Sequence, residues 1–178
     1  MVSKQRLNAV RAERLAKRLY PEEEWVQEYD GKSFGVNLYI AKSRIVQEKK
    51  TDLEKEIVQA KLLIRMDNSV YLLPEPSKNT LRQPVSRADA IVNGFIMEFK
   101  TITGSIDRIE KNFRKSRKQS DNVFLKIENP EITIEMVKDK LTSTINDKNY
   151  HGGYFGMIYI FLEKTNKFYY YTVDMFKK

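Results

Sequence analysis

Apolar residues recur at helical spacing in some stretches of this chain and alternate or run together in the stretches between. From Ser3 to Leu19, Leu7, Val10, Leu15 and Leu19 form a broken apolar stripe on a basic helix that must stop before Pro21. Residues 31–44, GKSFGVNLYIAKSR, give a short strand or loop without a clear period. In TDLEKEIVQAKLLIRM, Leu53, Ile57, Ala60 and Ile64 predict an amphipathic helix, and Thr51 with Glu54 has the spacing of a capping box. NSVYLL reads as a strand stopped by the prolines of PEPSKN. ADAIV and FIMEFKTI flank Asn93-Gly94, the strongest short-range hairpin signal. A basic helix over SIDRIEKNFRKSRKQS, a buried strand NVFLKI and a helix over TIEMVKDKLTSTIND follow. YFGMIYIFLEK and KFYYYTVDMF close the chain as a strand pair around Thr165-Asn166, entered through the loop HGGYFG.

From Thr51 onward this order is helix, three strands, helix, strand, helix, two strands. It predicts an α/β (α+β) fold in which a mixed sheet is flanked by helices. Residues 51–178 are expected to form the main domain, with residues 1–50 a helical or irregular appendage.

Charge narrows the partners. Among 178 residues, Lys and Arg outnumber Asp and Glu by 32 to 24, a net +8, which favours a polyanion such as nucleic acid. The basic N-terminal helix reads either as a packing helix or as a nucleic-acid or partner-binding arm. The chain has no cysteine, which excludes disulfides, thiol catalysis and Cys-based zinc sites. Its single histidine, His151, excludes a two-histidine ribonuclease mechanism within one chain. No apolar run approaches the ~18 residues of a membrane span, and the first twenty residues lack the apolar core of a secretory signal. A cytoplasmic chain is expected.

The hairpin carries the candidate chemistry. With Asn93 and Gly94 as the two turn residues, Val92 faces Phe95, Ile91 faces Ile96, Ala90 faces Met97, and Asp89 faces Glu98. Alternation puts Asp89, Ile91, Ile96, Glu98 and Lys100 on one face. Two opposed carboxylates in a half-dry sheet repel one another and resist desolvation unless a cation offsets them. Lys100 supplies one positive charge, and a divalent metal supplies two more while taking oxygen ligands directly. The alternative is that Asp89 sits at a solvated strand end while Glu98 simply pairs with Lys100.

D-x8-E-F-K on a hairpin before a helix resembles the PD-(D/E)XK nuclease superfamily, and the element order is similar to its restriction-endonuclease-like αβββαβ core, here with an added C-terminal helix and hairpin. YLLPE, ADAIVNGFIMEFKT, the basic helix ending KSRKQ, and NVFLKI further resemble C-terminal nuclease domains of bacterial contact-dependent inhibition toxins, over roughly Thr51 to Ile127. The resemblance implies a metal-dependent endonuclease acting on tRNA or DNA, with Mg2+ (or Mn2+ or Zn2+) as cofactor and an acidic immunity protein as partner. It makes Asp89 and Glu98 the metal-binding acids and Lys100 the catalytic lysine. Ala88 stands where the motif's proline would be.

Further candidates are weaker. Glu56, at the edge of the first amphipathic stripe, reaches toward the sheet as a third metal ligand, and Glu75 in LLPE resembles the toxin motif. Arg87, Arg117, Lys115, Lys118 and Gln119 are expected to contact nucleic acid, with Arg117 turned toward the sheet and suited to grip a phosphate bidentately. His151 would serve as general acid if the chain were instead a metal-independent ribonuclease of the barnase/EndoU/RelE-like group. A non-catalytic nucleic-acid-binding protein is the reading from another class.

Overall fold

The first helix, α1 (Lys4–Leu19), starts where Ser3 caps it, the side-chain hydroxyl accepting from the Arg6 amide at 3.2 Å. It ends at Tyr20, ahead of the proline that forbids continuation. The computed structural model describes residues 3–30, 36–47, 50–75, 88–153 and 155–178. After α1 come β1 (Trp25–Asp30), β2 (Asn37–Ala41), α2 (Lys42–Gln47), α3 (Lys50–Ile64), β3 (Val70–Leu72), β4 (Ala90–Val92) and β5 (Phe95–Ile102). They are followed by α4 (Asp107–Ser116), β6 (Asn122–Ile127), α5 (Ile134–Ile145), β7 (Met157–Leu162), β8 (Lys167–Thr172) and a final 3-10 turn, Val173–Phe176. This is a mixed α/β fold of strands flanked by helices. Two compact units divide it, Met1–Met97 and Glu98–Lys178.

In the first unit the strands lie in chain order. β1 and β2 are antiparallel with a bulge between Gln27 and Tyr29, β2 and β3 are parallel, and β3, β4 and the start of β5 are antiparallel. Residues before Lys50 therefore contribute two strands to this unit, of which β2 pairs directly with β3 and β1 with β2. Tyr39, Tyr71 and Ile91 alternate onto the face covered by α1, where Ala12 and Ala16 are fully buried among Leu15, Leu19, Tyr20 and Trp25. Leu38, Ile40, Val70, Leu72, Ala90 and Val92 point the other way and are also buried. On that side α3 touches β2 and β3 through its apolar stripe, of which Ala60, Leu63 and Ile64 are buried. Thr51, read with Glu54 as a capping box, falls within α3, and its side chain lies outside the described ones.

The second unit begins within β5 and continues in the order β5, β6, β7, β8. β6 and β7 are parallel, with α5 supplying the crossover that a parallel pair requires, and β7 and β8 form an antiparallel hairpin. α4 and α5 cover one face: Ile109, Phe113, Val137 and Leu141 pack on Ile102, Val123, Leu125, Ile158 and Ile160. α5 is capped by Thr133, whose hydroxyl accepts from the Met136 amide. The other face carries an aromatic row in which Phe124 lies between Phe99 and Phe168, with ring centroids 5.7 and 6.2 Å away.

Candidate active site

Asn93 and Gly94 both take positive φ, 53° and 88°, the conformation a two-residue I′ hairpin turn requires. The register follows from that turn: Val92 pairs with Phe95, Ile91 with Ile96 and Ala90 with Met97. Asn93 also fixes the turn in the fold. Its side-chain oxygen accepts from the Ser69 amide at 2.9 Å and its amide donates to Asn68 at 2.6 Å. Gly94 is confined by α1, since a Cβ there would lie 2.8 Å from Cβ of Arg11.

Asp89 precedes β4 in the first unit. It is half-buried, and its backbone carbonyl accepts from the Leu73 amide at 2.9 Å. Glu98 and Lys100 belong to the second unit. Alternation sets both on the face of β5 shared by Ile102, which packs in the α4–α5 core. The Glu98 side chain is 1% exposed and that of Lys100 18%, and the ammonium donates to Glu98 Oε1. A carboxylate so dry requires a cation close by to stay ionised, and Lys100 is one.

Glu56 meets a different cation. Both of its oxygens accept from the Arg44 guanidinium, at 2.7 and 3.1 Å, and Glu75 approaches the same guanidinium at 3.5 Å. Arg44 is 1% exposed at its side chain, Glu56 15% and Glu75 57%. Nothing in AKSRIV marks Arg44 as buried; only the inward edge position of Glu56 hinted at a charged group beneath α3.

Arg117 turns inward from the end of α4, and its fork is spent on backbone. It donates to the Asp121 carbonyl, to the Gly153 carbonyl at 2.7 Å and to the Phe155 carbonyl at 2.8 Å, with the Asp121 carboxylate 3.4 Å away. Lys115 and Lys118 are exposed, and Gln119 is half-buried with its backbone N–H donating to the Ser116 carbonyl. Arg87 lies outside the described residues. His151 is exposed at the rim of a cavity of about 190 Å³ shared with Arg114, Lys118 and Tyr150. Arg114 is already paired there with Glu110 at 3.0 Å and Asp147 at 3.2 Å.

Besides Arg44, a second buried charge escaped the sequence reading. Lys126, within NVFLKI, is buried and donates to Glu128 at 2.6 Å, with Glu163 at 3.1 Å. Burial works to lower its pKa, but the hydrogen bonds and charges of Glu128 and Glu163 outweigh it and hold the ammonium above the usual lysine value.

Among the described residues no group of three or more histidine, aspartate or glutamate side chains gathers to hold a metal ion. The donors near the hairpin suit a hard cation by type. Glu98 offers carboxylate oxygen, and magnesium commonly uses one or two carboxylates and takes its remaining ligands from water and phosphate. Zinc would find little nitrogen or sulfur, because the chain has one histidine and no cysteine.

Residues 86–162 match the family described as the contact-dependent growth inhibition CdiA C-terminal domain. The match covers less than half of the chain, takes in Asp89, Glu98, Lys100, Arg117, Lys126 and His151, and leaves out Arg44, Glu56 and Glu75. It points to a toxin-associated domain of this general class. No curated protein and no solved structure matches the chain. Among the described residues no helix is long and apolar enough to cross a membrane.

Proposed function

We propose, from the match to the CdiA C-terminal domain family, that this chain is the nuclease of a contact-dependent inhibition toxin, hydrolysing phosphodiester bonds in RNA, tRNA first, or in DNA. The observation that carries this reading is the pairing of a nearly solvent-free Glu98 with the less buried Lys100, two residues apart on one strand face inside the matched segment. The element order from Lys50 and the net charge of +8 support it.

Glu98, paired with Lys100, is the residue that would offer carboxylate oxygen to a magnesium or manganese ion, and Asp89 is the second acid that the resemblance implies. Such an ion, when bound, supplies charge stabilisation at the scissile phosphate and lowers the pKa of water. Glu98 keeps its carboxylate charged by contact with the Lys100 ammonium. Lys100, being the more open of the two, directs its remaining N–H bonds toward the attacking water or the phosphate oxygens. Glu56 serves by anchoring Arg44 rather than by donating to metal, since both its oxygens are engaged. An acidic immunity protein is the expected partner, and the cytoplasm the expected place of action.

The test incubates the purified chain with total tRNA and with plasmid DNA, with and without EDTA. Cleavage of either that EDTA abolishes and magnesium restores is the expected result. Cleavage that survives chelation and disappears in His151→Ala would replace this mechanism with a metal-independent ribonuclease centred on the His151 cavity. Salt-sensitive binding without cleavage under any divalent ion would leave a nucleic-acid-binding protein.

A further inference from the structure

α1 has two faces of opposite character. Ala12, Ala16, Leu15 and Leu19 turn toward β3 and β4. At 100° per residue, Lys4, Leu7, Arg11, Arg14 and Arg18 fall together on an arc of about 80°, centred about 110° from the packed side, with Leu15 at the border between the two. Arg11, Arg14 and Arg18 are exposed, and among the described residues no acid pairs with them. The single acid of the helix, Glu13, is occupied by Lys17 at 2.6 Å. The arginine stripe borders a groove of about 540 Å³ whose other wall is the hairpin turn, Asn93 and Gly94, and the ring of Phe95. Phe95 is 48% exposed although its strand partner Val92 is buried. The close approach of Arg11 to Gly94 holds the two walls together.

We infer that this groove binds a single-stranded segment of nucleic acid, its phosphates along Arg11, Arg14 and Arg18 and one unpaired base against Phe95. Uncompensated guanidinium groups in a row match a phosphodiester backbone in charge and hydrogen-bonding geometry. An exposed aromatic ring beside them offers a stacking face that a base inside a duplex cannot use. An acidic protein surface would satisfy the arginines and gain nothing particular from the ring. The inference rests on the nucleic-acid reading above and names how the substrate is held, using residues apart from Asp89, Glu98 and Lys100.

The test measures fluorescence anisotropy of a labelled twelve-nucleotide oligouridylate against the full chain carrying Glu98→Gln, in EDTA, over a series of salt concentrations. Adding Arg14→Ala with Arg18→Ala should weaken binding at least tenfold and flatten the salt slope by roughly 1.4, two phosphates at about 0.7 each. Adding Phe95→Ala should weaken binding roughly tenfold with the slope unchanged, Phe95→Tyr should restore it, and a blunt duplex of equal length should bind less well. No binding by the Glu98→Gln chain, or affinity untouched by these substitutions as an acidic-protein surface would give, overturns the inference. Equal affinity for strand and duplex overturns the stacking role. If the unaltered chain never cuts while arginine-dependent binding persists, the nuclease reading falls and this one stands. If it cuts and the arginine variants bind unchanged, the reverse holds.

Discussion

The Lys100 ammonium donates to a Glu98 carboxylate that solvent scarcely reaches, and the two side chains rise from the same face of β5. Glu98→Gln keeps the shape of the buried group and removes its charge. It should lower nucleic-acid cleavage by at least about 100-fold, the scale on which a single electrostatic or acid–base group acts. Lys100→Met should do the same and also lower stability by about 3 kcal/mol, because it leaves a buried carboxylate without its ammonium. Cleavage assays and thermal unfolding of both variants give the comparison. Growth on expression offers a second readout: the parent slows it and Glu98→Gln does not. A Glu98→Gln chain that cuts and inhibits like the parent removes Glu98 from the chemistry.

The Arg44–Glu56 pair is more deeply set than any surface ion pair needs to be. Arg44→Met should cost about 3–5 kcal/mol, the range for breaking a buried pair, since Glu56 loses the guanidinium that holds both its oxygens. Glu75→Gln should cost under about 1 kcal/mol, since Glu75 is 57% exposed and only grazes the guanidinium at 3.5 Å. Urea unfolding of the two variants reads the difference, and a double-mutant cycle on Arg44 and Glu56 isolates their coupling.

Local signals made the hairpin readable in advance. Asn93-Gly94 fixes the turn type, the turn type fixes the register, and the register fixes which residues share a face with Glu98 and Lys100. The longer helices α1, α3, α4 and α5 were readable from their 3.6-residue stripes, whereas α2, six residues long, is too short to show one and lay partly in the stretch read as strand or loop. β1 and β2 were not, because β2 gains its place by parallel pairing with β3 some thirty residues later, and no short-range pattern announces a non-local partner. The same limit hid the buried charges. Arg44 and Lys126 carry no local mark of burial, Arg117 was turned inward without its partners, and the groups that make the burial of all three tolerable lie elsewhere in the chain: Glu56 on α3, the carbonyls of Gly153 and Phe155, and Glu163 after β7. The helical period did turn Arg117 inward. It could not reveal that loop carbonyls, rather than phosphate, would occupy the guanidinium.

Arg117 ties the end of α4 to the segment leading into β7, and Gly156 makes that approach possible. Gly156 has φ of 122°, and a Cβ on it would overlap the Asp121 carbonyl oxygen and crowd the guanidinium. Arg117→Lys should lose about 2–4 kcal/mol, because an ammonium cannot reproduce a planar fork that serves carbonyls in three directions. Gly156→Ala should lose a similar amount from strain and overlap. Lys118→Ala, an exposed neighbour, should stay within about 0.5 kcal/mol. Thermal unfolding ranks the three, and Lys118→Ala proving as damaging as Arg117→Lys would deny Arg117 its bracing role.

The tyrosines set the alkaline limit of the fold. Tyr71 is buried, stacked on Tyr39 at 4.6 Å and touched edge-on by Trp25 at 5.2 Å. Burial, with smaller contributions from the charges of Tyr39 and Glu13, raises its pKa far above that of a free tyrosine. Burial likewise raises Tyr20, Tyr159 and Tyr171. In the unfolded chain these phenols ionise near about pH 10, so above that pH the folded chain binds more protons than the unfolded one and stability falls as pH rises. Lys126 has the same sign: what its pairing with Glu128 and Glu163 contributes is complete below about pH 10.5 and is lost as pH climbs through its raised folded pKa. Urea unfolding at pH 8, 10 and 11 should show this loss, and Tyr71→Phe should make it shallower. Absorbance at 295 nm should show the Tyr71-dependent phenolate signal emerging only with unfolding; its appearance near pH 10 in the folded chain would mean that the Tyr71 ring is open to solvent.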